Sequence, residues 1–256
     1  MAADHGLRSG TRRWAGAAAG RKRRQGMRTE SLMSQIARAI MMKPRVIGLF
    51  LLLLAACGAA AADSSWVTVR WIADGDTVFL QDGRSVRYIG IDTPERARDQ
   101  QKAEFMAHEA RSINRQLVEG WPLRLEYDRQ RSDRYQRVLA YVYRRDDGLF
   151  INAELVRQGV AHVLHQAPNT KMETTLIILQ REAMAERRGI WRGVDRDEKP
   201  IHPYRGNRRS KRFHAHACSL GKSIASRNRI VFSSQWAAFW EGYAPASECI
   251  DFPVAP

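Results

Sequence analysis

Four carboxylates fall in two tight groups, Asp74 with Asp76 and Asp92 with Glu95, and two arginines, Arg87 and Arg137, lie in or beside apolar stretches. Carboxylate oxygens suit a hard cation such as Ca²⁺, and the His/Cys sets that zinc prefers are missing from this part of the chain. An arginine inside an apolar strand is costly unless it meets a counter-charge or faces a polar groove, which makes Arg87 the least ordinary residue of the group. Two guanidinium groups converging near a carboxylate-bound cation would grip a phosphodiester and stabilise the charge it gains on attack. The cation would act as Lewis acid and template, and one carboxylate could activate water. Taken singly, each acid has a plainer role: Asp74-Gly75 is a common turn, and Asp92 before Thr93-Pro94 fits a strand end. Strand alternation does not put Arg87 and Asp92 on one face, since they are five positions apart; Gly90 offers a bulge or bend between them. His162 and His165 have a spacing that metal sites use, but no carboxylate or Cys is in register, so both read as surface or pocket-rim residues.

The elements that must hold these residues follow from periodicity. Residues 66–72, 77–80 and 85–91 are rich in β-branched and aromatic side chains and are separated by the turn signals Asp74-Gly75 and Asp82-Gly83. The third of these strands must stop at Thr93-Pro94. Residues 123–127 and 138–143 give a fourth and a fifth strand, and helical spacing appears over 101–117, 152–158 and 172–188, the last two closed by Gly159 and Gly189. Five short strands with about three helices predict an α+β domain built on a five-stranded OB-type barrel.

The net charge of +15 is unevenly spread. Residues 1–57 carry 11 Lys/Arg against 2 Asp/Glu, residues 58–193 carry 21 against 19, and residues 194–229 carry 10 against 3. The central domain is nearly neutral, so any polyanion binding there must come from locally placed arginines. Residues 1–62 have the anatomy of a leader: a basic start at Met41-Met42-Lys43, either methionine being a candidate true start, then an apolar run from Val46 to Ala56 that is too short to span a bilayer. Leu54-Ala55-Ala56-Cys57 resembles a bacterial lipobox, with Cys57 as a site for lipid anchoring to the membrane; cleavage near Ala60-Ala61-Ala62 is the alternative and would release a soluble protein. Either way the expectation is export, to the periplasm or cell envelope as a lipoprotein or as a secreted protein. In such a compartment Cys218 and Cys249 read as a disulfide. The expected organisation is a leader (1–62), a catalytic domain (66–193), a linker (194–205) and a small C-terminal module (206–256), in a monomer.

Four blocks carry a resemblance. Asp74-Gly75-Asp76-Thr77, then Arg87 with Ile91-Asp92-Thr93-Pro94-Glu95, then Asp133-Arg134-Tyr135-Gln136-Arg137-Val138-Leu139-Ala140-Tyr141, and Asn152-Ala153-Glu154-Leu155-Val156-Arg157-Gln158-Gly159 closely resemble the staphylococcal-nuclease (thermonuclease) family, in order and with matching spacing from about Val67 to Trp191. The resemblance implies Ca²⁺-dependent hydrolysis of DNA and RNA that leaves 3′-phosphates, with nucleic acid as the partner. It implies Asp76, Asp92 and the Thr93 carbonyl as Ca²⁺ ligands, Glu95 as general base, and Arg87 and Arg137 as phosphate clamps. Tyr135 matches a tyrosine of the nucleotide pocket and Arg134 replaces a lysine beside it. Gln136 stands where the best-known member has glycine, and His165 where it has a second pocket tyrosine. The tail resembles a small Cys-rich module appended to some bacterial thermonuclease-like proteins, although Ala246 stands where that module usually has another Cys. Zinc would need four N/S ligands, and His214, His216, Cys218 and Cys249 are the available set; a Cys218–Cys249 disulfide is the simpler reading. A barrel of this kind without catalytic residues would serve as a binding module or surface lipoprotein instead.

Overall fold

A computed structural model describes residues 66–96, 103–250 and 252. The leader, with Met41, Met42 and Cys57, lies outside the described residues. No helix among the described residues is long and apolar enough to cross a membrane.

The chain is α+β. Its first sheet is formed by β1 (Val69–Ile72), β2 (Thr77–Leu80), β3 (Ser85–Tyr88), β5 (Leu123–Glu126) and β6 (Val138–Arg144), in the order β1-β2-β3-β6-β5. All five expected strands lie in it. β3 runs parallel to β6 and the other neighbours are antiparallel. The sheet does not close into the expected barrel: its outer edges meet only at a single bridge, where Val67 and Leu123 exchange two backbone hydrogen bonds of 2.9 and 2.8 Å. Ile72, Val78, Leu80, Val86, Tyr88 and Leu123 point into a core closed by α1 (Ala107–Val118), α2 (Ile151–Arg157) and α3 (Glu173–Ala185).

Several boundaries differ from the expected ones for local reasons. The third strand ends at Tyr88 rather than Ile91, because Gly90 has φ +80° and turns the chain. Ile91–Asp92 then forms a separate strand, β4, paired with β7 (His162–Val163). The helix expected from 101 starts only at Ala107, since Met106 is left-handed (φ 66°). Gly159 does close α2: its N–H reaches Val156 O and that of Val160 reaches Leu155 O, at 2.9 and 3.1 Å. Gly189 does not close α3. Arg187 takes that left-handed position (φ 53°), and Gly189 instead packs against Gly159, where the Ile190 N–H bonds to Gly159 O.

Beyond the 3-10 turn Gly189–Gly193 a second sheet is built from β8 (Tyr204–Asn207), β9 (Arg212–His214), β10 (Arg229–Phe232) and β11 (Ala244–Pro245), in the order β10-β8-β9-β11. Two short helices, α4 (Ser219–Lys222) and α5 (Gln235–Trp240), complete it. A small segment of this kind rarely buries enough surface to hold its own shape. It packs against α3: Ala183, Met184, Trp191 and Val194 share one buried cluster with Phe213, Phe232, Phe239 and Tyr243. Gln180 joins the two parts, its Oε1 accepting from Val163 N–H and its Nε2 donating to Phe239 O, both at 2.6 Å.

Cys218 and Cys249 are joined by a disulfide spanning 31 positions. His214 Nδ1 lies 3.5 and 3.6 Å from their sulfurs, while His216 stacks on His202 instead. Loop-closure entropy for a link of this length amounts to about 3–4 kcal/mol. Replacing both cysteines with serine is expected to lower the unfolding free energy by about that amount, read from urea titrations under non-reducing conditions.

Candidate active site

The turn at Ile89-Gly90 performs the step that strand alternation cannot. It brings Asp92 back beneath Arg87, so that Arg87 Nη2 donates to Asp92 Oδ1 at 2.6 Å while Nη1 donates to Ile91 O at 2.9 Å and lies 2.8 Å from Asp76 Oδ2. The Arg87 side chain is only 11 % exposed. Burial opposes its charge, but Asp76 and Asp92 outweigh that and hold it protonated above the ordinary arginine value. Three contacts fix Asp76 further: Thr93 N–H and Oγ1 donate to Oδ2 at 2.9 and 3.1 Å, and Thr77 Oγ1 donates to Oδ1 at 3.0 Å.

Asp76 is 4 % exposed, and burial pushes its carboxyl well above the usual carboxylate range; Arg87 opposes the shift, while Asp74 and Asp92 add to it. The site thus crowds carboxylates in a place poor in solvent, and a cation would relieve that crowding. The oxygen-only donors offered by Asp76, Asp92 and Thr93 fit a hard divalent ion.

Glu95 stands at the exposed mouth. Its N–H donates to Glu104 Oε2 at 2.7 Å and Glu104 N–H donates to Glu95 O at 2.9 Å, which ties Glu95 to Glu104. A cavity of about 420 Å³ is lined by Asp74, Asp76, Arg87, Glu95, Tyr135 and Arg137, together with Thr77. Arg137 leads into β6 beside β3, and its Nε donates to Asp133 Oδ2 at 2.7 Å. Asp133 is held below the ordinary carboxylate value: burial acts against this, and hydrogen bonds from Arg137 and Tyr135 outweigh it. Tyr135 is 64 % exposed, with the Arg134 guanidinium 4.8 Å over its ring.

Of the residues singled out in the sequence, Asp76, Arg87, Glu95, Tyr135 and Arg137 line one cavity, and Asp92 and Thr93 touch it through Arg87 and Asp76. Arg134 reaches it through Tyr135, its Nη2 donating to the hydroxyl at 2.7 Å. His165 is not among that cavity's lining residues; its Nδ1 lies 2.9 Å from Glu173 Oε2. His214, Cys218 and Cys249 form a separate group in the C-terminal segment.

His162 corrects an expectation. It is buried, 6 % exposed, between Phe239 and Phe252, because the C-terminal segment covers β7. Its Nε2 lies 3.9 Å from Asp92 Oδ2, and burial pushes the imidazole down to about 4, against the pull of Asp92. An unfolded histidine titrates near 6.5. Between these values the unfolded chain holds the proton and the folded one does not, so stability falls as pH drops through about 6.5, and the loss is complete below about 4. His162→Gln is expected to remove up to about 3 kcal/mol of that acid sensitivity, measured as the difference between urea midpoints at the two ends of this range in EDTA. An unchanged pH dependence would refute a buried neutral imidazole.

Two residues to which the sequence gives no role position the site. Asn114 accepts from Tyr88 Oη and donates to Asp74 O, both at 3.0 Å, locking the first acidic turn to α1. Its signal was present, since it is the polar member of the buried row Ala107, Ala110, Asn114, Val118. Asp133, four positions before Arg137, fixes that guanidinium.

Comparison with known proteins was consistent with this geometry. The family model described as "Staphylococcal nuclease homologue" matches residues 85–193, a span that includes Arg87, Asp92, Glu95 and Arg137. A thermonuclease of Staphylococcus intermedius is 33% identical over 126 residues, covering 48% of this chain and 74% of that protein. A thermonuclease of Staphylococcus hyicus is 31% identical over 137 residues, covering 52% and 80%. Endonuclease YncB of Bacillus subtilis is 35% identical over 130 residues, covering 49% and 61%.

Proposed function

Because the chain belongs to the staphylococcal nuclease family, we propose that it is a Ca²⁺-dependent nuclease that hydrolyses phosphodiester bonds of DNA or RNA at the 5′ oxygen and leaves 3′-phosphates. The observation that carries this reading is the Arg87 guanidinium bonded to two acids at once, Asp76 and Asp92, at the base of a cavity that also holds Glu95 and Arg137. A domain of this kind retained only for binding would have no need of a buried, charge-crowded group at that point, which disfavours the binding-module alternative.

Asp76, Asp92 and the Thr93 carbonyl would hold the cation. When bound, it would supply Lewis-acid polarisation of the phosphoryl oxygens. Arg87 and Arg137 clamp the non-bridging oxygens and neutralise the charge that grows on them. Glu95 takes a proton from a water as its oxygen bonds to phosphorus; the bond to the 5′ oxygen breaks, and that oxygen is protonated from solvent. Tyr135, with Arg134 on its ring, offers an exposed face against which a base or ribose can lie.

Export through the leader, with or without a lipid on Cys57, belongs to the same proposal. The Cys218–Cys249 disulfide supports it, since such bonds persist in oxidising compartments. The test is cleavage of single-stranded DNA by the protein from Asp63 onward, with Ca²⁺ and with EDTA, followed by analysis of the product ends. Equal cleavage in EDTA would remove the cation from the proposal, and 5′-phosphate ends would reverse the assigned bond.

A further inference from the structure

Three cavities adjoin in a row. The catalytic cavity shares Glu95 with a second, of about 200 Å³, walled by Asp92, Glu95 and His162 on one side and by Arg212, Ser247 and Phe252 of the C-terminal segment on the other. A third, of about 370 Å³, shares Arg212 and Ser247 with the second and continues past Asn207 and Ser210. Arg212 sits where the last two meet. It is half-buried, and its Nη1 donates to Pro245 O at 2.8 Å, which holds the guanidinium at that junction.

The charge of the same segment is one-sided. Residues 199–240 contain nine Lys/Arg and no Asp or Glu, whereas residues 58–193 are nearly balanced. Arg208 and Arg209 are exposed in the turn between β8 and β9, and Arg227 and Arg229 are exposed at the approach to β10. Pairing of β10 with β8 brings them side by side: Arg229 is opposite Asn207, and Arg208 N–H donates to Asn228 O at 2.7 Å. Among the described residues no ion pair within 4 Å engages any of these four arginines. Like charges gathered without acids between them repel one another and favour a polyanion.

We propose that the C-terminal segment is an extension of the substrate site: Arg212 receives a phosphate neighbouring the one cleaved, and the face bearing Arg208, Arg209, Arg227 and Arg229 holds further phosphates of a single-stranded polynucleotide. A single strand fits the observations because the middle cavity has room for a sugar and phosphate and none for a duplex. The inference rests on the nuclease reading and deepens it, from one scissile bond to a preference for long substrates.

Two measurements separate this inference from that reading. The first is binding of a fluorescent oligothymidylate of about 20 nucleotides in EDTA, by anisotropy between about 50 and 200 mM salt. The second is the ratio of kcat/KM for that oligomer to kcat/KM for the nitrophenyl ester of a single thymidine nucleotide. The exposed double variant Arg208→Gln/Arg209→Gln is expected to flatten the salt slope of the logarithm of affinity by about 1.4, which is two single-strand phosphate contacts, and to lower the ratio roughly tenfold. Arg212→Gln is expected to lower the ratio at least as far, and Arg212→Lys to restore part of it, since the charge remains while the fork is lost. Slopes and ratios in the double variant equal to those of the unmutated protein would overturn the extension, whatever Arg212→Gln does. Failure of the unmutated protein to hydrolyse the small ester would instead count against the nuclease reading, with the salt slope still reporting on the track.

Discussion

Replacing Arg87 with methionine is expected to lower the stability of the protein by about 3–5 kcal/mol at neutral pH in EDTA, and its kcat on single-stranded DNA by about 10³-fold or more. The stability effect comes from what is left behind. Asp76 is 4 % exposed, and Arg87 is the counter-charge that opposes the effect of burial on its carboxyl. Methionine fills much of the same volume but leaves that carboxylate buried without its partner, the situation in which removal of one member of a buried pair is most damaging. The sign with pH follows. Without Arg87 the folded Asp76 carboxyl rises further above its unfolded value, so it stabilises the protonated folded form and the loss grows as pH climbs. The difference between unmutated protein and variant should therefore be larger at pH of about 8 than at about 5. Arg87→Lys distinguishes the two functions of the residue. An ammonium still neutralises Asp76, so much of the stability returns, but it cannot reach Asp76, Asp92 and a phosphate with a planar fork, so activity stays low. Equal stability of unmutated and methionine variants across pH would sink the account of Arg87 as the ion that permits a buried acid.

Arg87 also illustrates how far the sequence reaches. Its type and position, a charge within Ser85–Tyr88 between Val86 and Tyr88, announce that something unusual faces that side of the strand. The partner does not follow from periodicity, because the turn at Gly90 breaks the alternation and a separate pairing of β4 with β7 fixes where Asp92 lands. Local signals set the strands of the first sheet and the cap of α2, which depend on neighbouring residues. They fail where a distant contact decides. Gly189 has the sequence of a helix stop, yet its place is set by the approach of Gly159, thirty positions earlier, while the stop itself falls to Arg187. His162 looks like a polar residue near a helix end, yet Phe239 and Phe252 bury it. Asn114 and Asp133 lie between these cases: each has a local signature, and only the fold supplies the partner that gives it meaning.

Glu95→Gln is the complementary experiment, with its largest expected effect on the chemical step. Glu95 is exposed, and its backbone exchanges hydrogen bonds with Glu104 at 2.7 and 2.9 Å. An amide of the same size leaves those backbone bonds in place, so the variant should still fold, which its urea unfolding transition checks. What the amide cannot do is accept a proton at neutral pH. If Glu95 activates the water, kcat should fall by about 10²–10⁴-fold, while the affinity for oligothymidylate in EDTA stays level or tightens slightly, because one negative charge at the mouth has gone. The pH profile carries the finer test. In the unmutated protein the acid limb of kcat/KM should contain the ionisation of the base, and in Glu95→Gln that limb should disappear with the activity that depends on it. A variant that keeps kcat within about threefold of the unmutated protein, with the acid limb intact, would move the base elsewhere in the cavity, which Asp74 also lines. The contrast with Arg87 lies in burial: Arg87 is the buried counter-charge of Asp76, whereas Glu95 stands exposed at the mouth, where a water can reach it.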